Sequence, residues 1–178
     1  MTQIKIIKML YGPNVNKYYT FEIYKYVINL NNIDILDYIY DKNNVDLNDR
    51  NMLFLICNYG SLDVFKWYLS KRCIYTKNDL ECCFKIFCRR GNYALLNYLY
   101  SNYNLVDFVN NTESLFRTVC RSKNIRCILW IYDLMKTKSF KLDKEWELIV
   151  LTNNYHLIRW ILDNNKIKVN KIYGLKIA

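Results

Sequence analysis

At 178 residues, with 52% hydrophobic and 16% aromatic side chains, the chain can bury a continuous core and fits one domain of ordinary size. Its 26 Lys and Arg against 16 Asp and Glu leave a formal charge of +10, which favours nucleic acid, an anionic membrane or an acidic protein surface as partner. One Pro and four Gly exclude a Gly/Ser- or Pro-rich linker, so one compact array is expected. Abundant Lys, Asn, Ile and Tyr are also what AT-biased coding produces, and such coding is a second source of the charge.

The chain begins with Ile4, Ile6, Ile7, Met9 and Leu10 ahead of Gly12-Pro13, a turn signal, and residues 1–19 are expected to cap the array. Lys5 and Lys8 interrupt the apolar stretch, so no signal-peptide core is formed, and no later run reaches the ~18 apolar residues of a membrane span. With an odd number of cysteines, seven in all, this points to a soluble intracellular protein with reduced thiols, not a secreted one.

Beyond that segment a nine-residue pattern returns five times: Asn32-IDILDYIY, Ser61-LDVFKWYL, Asn92-YALLNYLY, Asn124-IRCILWIY and Asn154-YHLIRWIL. Its first apolar residues are Ile33, Leu62, Tyr93, Ile125 and Tyr155, at intervals of 29, 31, 32 and 30 residues. Such a period marks stacked repeat units that bury their apolar faces on one another and present an extended binding surface. The units run over about 20–48, 49–78, 79–110, 111–142 and 143–170, followed by a basic tail at 171–178.

Each unit reads as two short helices and a turn. The first offers Tyr24, Val27 and Ile28, then Ile35, Leu36 and Ile39; the second Leu53, Ile56 and Cys57, then Leu62, Phe65 and Leu69, at helical spacing. The third offers Leu80, Phe84, Phe87 and Cys88, then Leu95, Leu96 and Leu99. Leu115, Phe116, Val119 and Cys120, then Ile128, Leu129 and Tyr132, make the fourth; Trp146, Ile149 and Val150, then Leu157, Ile158 and Ile161, make the fifth. Helix starts are expected at Thr20, Asp49, Asn78, Asn111 and Asp143, whose side-chain oxygens can cap free N–H groups. The turn at Tyr59–Ser61 is assigned to a Gly60 free to take positive φ, and those at Arg90-Gly91-Asn92 and Lys123-Asn124 follow the same plan.

Gly60-SLDVFKWYL resembles the second-helix signature of ankyrin repeats, and the resemblance covers roughly residues 20–170. Where that family opens its first helix with Thr-Pro-Leu-His, this chain has Asn51-MLF, Cys82-CFK and Ser114-LFR, which keep the apolar third position alone. The units are therefore similar to degenerate ankyrin repeats of the type found in large, giant or pox-like, DNA viruses. The resemblance implies an all-α, ankyrin-like helical repeat solenoid of about five helix-turn-helix units with short or irregular loops. It also implies a viral protein acting inside the host cell, in the cytoplasm with the nucleus or virion as alternatives.

Chemistry-bearing residues are sparse. Cys57, Cys88 and Cys120 share one slot, where the family places a small Ala between helices and where Ile28 and Val150 stand in the outer units, so packing explains them. No Cys-x₂-Cys pairs at chelate spacing support a metal, and Cys82 and Cys83 point to different helix faces. His156 has no nucleophile or phosphate-cradling signature around it. Asp34 and Asp63 recur at the second position of a second helix, as charges complementing the helix N-terminus. No catalytic residue, metal, cofactor or small-molecule substrate is expected, and the chain is not read as an enzyme.

In ankyrin-like stacks the partner lies on the concave face, to which the two residues before each turn belong. Here these are Asn29 and Leu30, Asn58 and Tyr59, Arg89 and Arg90, Arg121 and Ser122, and Leu151 and Thr152. The middle is basic, Arg50 and Arg117 extend it, and arginine's planar fork suits carboxylate or phosphate. The expected function is a non-catalytic protein interaction module or adaptor for an acidic host or viral protein, with Tyr59 as an aromatic anchor. The alternative is nucleic-acid binding, with arginines on phosphates and Tyr59 or Tyr103 stacked on bases. No membrane contact is expected, and the chain is read as a monomer or a homodimer associating through Trp130, Trp160 or the tail.

Overall fold

The computed structural model describes residues 17–43, 47, 49–71, 75–109, 112–135 and 145–164, and among them every regular element is a helix. In chain order these are α1 (Lys17–Leu30), α2 (Ile33–Asn43), α3 (Arg50–Tyr59), α4 (Leu62–Lys71), α5 (Lys77–Arg90), α6 (Tyr93–Asn102), α7 (Val106–Val109), α8 (Thr112–Arg121), α9 (Ile125–Met135), α10 (Trp146–Leu151) and α11 (Tyr155–Asp163). None of the described helices is long and apolar enough to cross a membrane. The expected cap at 1–19, except its last three residues, and the tail at 171–178 lie outside the described residues, as do Cys73 and the helix starts at Asn111 and Asp143.

All five phrases begin a helix at their first apolar residue, because the polar residue before each one caps it. Asn32 Oδ1 accepts from the Ile35 N–H at 3.1 Å, Ser61 Oγ from Val64 at 3.3 Å and Asn92 Oδ1 from Leu95 at 3.2 Å. Asn124 Oδ1 accepts from Cys127 at 3.3 Å and Asn154 Oδ1 from Leu157 at 3.1 Å. One otherwise orphan donor is satisfied at each start, typically for about 1 kcal/mol. Asp34 and Asp63 sit in the first turns of α2 and α4, where their charge meets the positive helix end.

Among the first helices, Asp49 caps α3 as expected, accepting from Asn51 N–H at 2.9 Å. Two other expected starts are displaced. Thr20 lies inside α1, which begins at Lys17, and Asn78 lies inside α5. Thr76 is the true cap of α5: its Oγ1 accepts from Asp79 N–H at 3.2 Å while the Asp79 carboxylate accepts from Thr76 N–H at 2.9 Å, a reciprocal capping box.

The chain divides into two compact units, Met1–Cys83 and Phe84–Ala178. In the first, α1 packs on α2 and α3, and α4 packs on α2 and α3, so first helices meet first helices and second meet second. Tyr24, Val27, Ile28, Ile35, Leu36, Leu55, Ile56, Val64 and Phe65 fill its core. In the second unit α8 packs on α9 and α10, and α10 on α11, around Phe84, Phe87, Leu95, Leu96, Leu99, Phe116, Val119, Ile128, Ile131 and Ile149.

Second helices are joined by a recurring aromatic pair. The Trp at the sixth position of the apolar phrase meets, edge to face, the Tyr at the eighth position one repeat earlier: Trp67 on Tyr40 at 6.3 Å, Trp130 on Tyr100 at 5.4 Å and Trp160 on Tyr132 at 5.8 Å between centroids. Such edge contacts add about 0.5–1.5 kcal/mol beyond area burial. Trp67 also donates through Nε1 to Asp37 at 2.7 Å. This arrangement rotates the buried face of α4: Val64, Phe65, Trp67 and Tyr68 are buried, whereas the expected Leu62 and Leu69 are half-exposed. Trp130, with Phe84 and Tyr93 also against it, is occupied within its own unit.

The turns differ from the glycine plan. Gly60 has φ −71 and ψ 150, ordinary extended backbone, so its role is not conformational. A Cβ there would stand 2.6 Å from the Ile56 carbonyl oxygen, which accepts the Gly60 N–H at 2.8 Å. Close approach explains this glycine. Gly91 does adopt the left-handed region at φ 65, and Asn31, Lys123 and Asn153 take the same place before their capping asparagines at φ 53, 59 and 51. At the fourth turn it is thus Lys123, and not Asn124, that occupies the strained conformation, at a cost of roughly 1–2 kcal/mol for a side chain with Cβ.

Candidate functional site

Two helix ends in the second unit carry basic residues in their last turns. α5 ends at Arg90 and turns through Gly91; α8 ends at Arg121 and turns through Ser122 and Lys123. Asn124 Nδ2 donates to the Gly91 carbonyl at 2.9 Å, and a Cβ on Gly91 would lie 2.7 Å from Asn124 Cβ and 2.9 Å from Ser122 Oγ. The two turns are therefore in contact, so the helix ends that carry Arg89 and Arg90 on one side and Arg121 on the other meet there. Arg89 and Arg121 are exposed and Arg90 is half-buried. Exposed Lys85 stands one turn before Arg89, with its ammonium 5.3 Å from the Phe108 ring centroid.

The same device repeats one turn further along, where Asn154 Nδ2 donates to the Lys123 carbonyl at 2.9 Å. In the first unit the equivalent contact joins Ser61 Oγ to Asn31 Oδ1. One side chain thus caps its own helix and fastens its turn to the turn before it. The basic helix ends also have a plain structural use: arginines in the last turn of α5 and α8 face the negative end of the helix, worth about 0.3–1 kcal/mol each.

Arg117 is placed differently from expectation. Its Nε donates to Glu145 Oε2 at 3.0 Å and its Nη2 to Glu145 Oε1 at 3.1 Å, a two-pronged pair with a carboxylate whose side chain is 2% exposed. Burial of Glu145 makes that guanidinium its structural counter-charge, while the Arg117 side chain itself stays 54% exposed. Arg50 and Tyr59 belong to the first unit and occupy opposite ends of α3, about 14 Å apart along its axis. They do not form one site. Tyr59 is 38% exposed with the Lys25 ammonium 5.4 Å from its ring centroid, and Tyr26 at 60% and Phe54 at 51% are exposed on α1 and α3.

Of the other residues before turns, Asn29, Leu30 and Leu151 are exposed, but Ser122 and Thr152 turn inward. Their hydroxyls donate to the Val119 and Ile149 carbonyls at 2.7 and 2.6 Å and accept from Asn124 and Asn154 N–H at 3.2 and 3.3 Å. Both finish the helix end.

Cys57, Cys88 and Cys120 are fully buried in their shared slot. Desolvation holds the Cys88 thiol well above its ordinary range and pushes Cys120 up to about 12 and Cys127 to about 11, all of which disfavours the nucleophilic thiolate. Cys57 Sγ lies 3.2 Å from Cys83 Sγ, a proximity that no local spacing announced. Among the described residues no three His, Cys, Asp or Glu gather to hold a metal ion. His156 is exposed, edge-on to Tyr155 at 6.0 Å between centroids. No known family model, curated protein or solved structure matches this chain.

Proposed function

We propose that this chain is a non-catalytic interaction module, a degenerate ankyrin-type array of the kind large DNA viruses carry, which holds an acidic protein segment on its first-helix face. The observation that carries the reading is the Gly91–Asn124 contact, which joins the turns that follow the two helix ends carrying Arg89, Arg90 and Arg121. Three arginines within one patch offer several planar donor forks, a chemistry suited to carboxylates. The repeat character is supported by five phrases that start helices under equivalent caps and by Trp–Tyr pairs that recur between neighbouring second helices. A repeat scaffold of this type gives a partner a surface and not a reaction pocket.

Binding to an Asp/Glu-rich polypeptide and to single-stranded RNA or DNA, each followed across a salt series, tests the assignment. Retention of the acidic polypeptide, with nucleic acid released or never bound at low salt, is expected. Tight nucleic-acid binding that falls steeply with salt, without affinity for the polypeptide, would transfer the patch to phosphate recognition.

A further inference from the structure

We propose that Cys57 and Cys83, both in the first unit, form an oxidative cross-link site that ties α3 to the first half of α5. The two sulfurs lie 3.2 Å apart, both residues are buried, and 26 positions separate them. A disulfide needs about 2.05 Å, so the remaining approach is roughly 1.2 Å. Their neighbour Cys82 is exposed on the same helix, which gives α5 one accessible thiol directly beside a paired buried one. Neither Cys57 nor Cys83 takes part in the basic patch, so the cross-link is a property separate from partner binding.

The oxidant class is a small disulfide, such as glutathione disulfide, that reaches the pair when α5 opens locally from α3. One protein thiol, as its thiolate, attacks a sulfur of the small disulfide and releases one small thiolate. The second protein thiolate then attacks the protein sulfur of that mixed disulfide and releases the other. Two S–H bonds are lost, one protein S–S bond forms, the protein gives up two electrons, and the small disulfide becomes two thiols. Closing a loop of this length restricts the unfolded chain, so the oxidised protein melts higher, by roughly 5–10 °C.

Incubation of the full-length protein with glutathione disulfide, followed by alkylation and peptide mass spectrometry, tests this. The expected product has lost two hydrogens and contains a peptide linking Cys57 to Cys83, while Cys82 is alkylated or carries glutathione. Cys82→Ser is expected to keep the link. Cys57→Ala, which removes a single sulfur, is expected to abolish both the link and the rise in melting temperature while far-UV circular dichroism stays unchanged. Linkage of Cys57 or Cys83 to any other cysteine overturns the proposal. So does a protein whose Cys82 is fully modified while Cys57 and Cys83 remain thiols, and so does a Cys57→Ala variant that still shows the rise.

Discussion

Asn124 uses one side chain for two tasks, and the two can be separated by substitution. Its Oδ1 accepts from Cys127 N–H at 3.3 Å, and its Nδ2 donates to the Gly91 carbonyl at 2.9 Å. Asn124→Ala removes both. Loss of the cap costs about 1 kcal/mol and loss of the turn-to-turn bond a further ~1 kcal/mol, together a fall of roughly 4–8 °C in melting temperature. Asn124→Asp keeps the capping oxygen and adds a charge that the helix N-terminus favours by about 0.3–1 kcal/mol, but it sets a carboxylate against the Gly91 carbonyl. If the turn-to-turn bond matters, the Asp variant must still be less stable than wild type, by about 1 kcal/mol, and more stable than the Ala variant. Urea unfolding followed by far-UV circular dichroism reads all three proteins. An Asp variant as stable as wild type would refute the reasoning, because the cap alone would then account for the asparagine.

Three further outcomes follow from particular contacts. Gly60→Ala is expected to destabilise by about 1–3 kcal/mol in urea unfolding although φ −71 suits alanine, because its Cβ would stand 2.6 Å from the Ile56 oxygen; a neutral result would mean that the turn yields easily. Tyr24 and Tyr68 are both fully buried, but the Tyr24 hydroxyl has no hydrogen-bond partner among the described residues, whereas that of Tyr68 donates to the Leu47 carbonyl at 2.8 Å. Tyr24→Phe should therefore leave stability unchanged or raise it, and Tyr68→Phe should lower it by about 1–2 kcal/mol; equal losses in the same unfolding assay would argue against that distinction. Hydrogen bonds from Lys71 and then Trp67 hold the Asp37 carboxyl below its ordinary value of 3.8. A lowered folded value contributes stability that is present above that pH and lost as pH falls below it, so the gap between wild type and Asp37→Asn should be widest near neutrality and shrink below pH 3.8; a gap constant from neutrality into acid contradicts this.

Much of the helical plan is legible in the sequence, since apolar residues at helical spacing name Tyr24, Val27, Ile28, Phe84, Phe87, Leu95 and Leu99, all of which are buried. The second-helix caps carry a signal too, an Asn or Ser immediately before each phrase, yet those residues read first as turn formers. α4 misleads because counting aliphatic residues favours Leu62 and Leu69, whereas Trp67 and Tyr68 have larger apolar bodies and polar tips that reach Asp37 and the Leu47 carbonyl. Arg117 looks like surface charge in sequence because Glu145, its buried partner, lies 28 positions away. The Cys57–Cys83 contact is hidden for the same reason: helix period fixes which face a side chain shares, while its neighbour on another helix depends on how the helices meet.

The patch itself is tested most directly by charge reversal at Arg89, Arg90 and Arg121 together, with wild type alongside. Affinity for an Asp/Glu-rich polypeptide is measured for each protein, with far-UV circular dichroism to establish folding. The account requires the folded triple variant to lose at least tenfold in affinity relative to wild type. A folded triple variant that binds as wild type does would remove these arginines from the site.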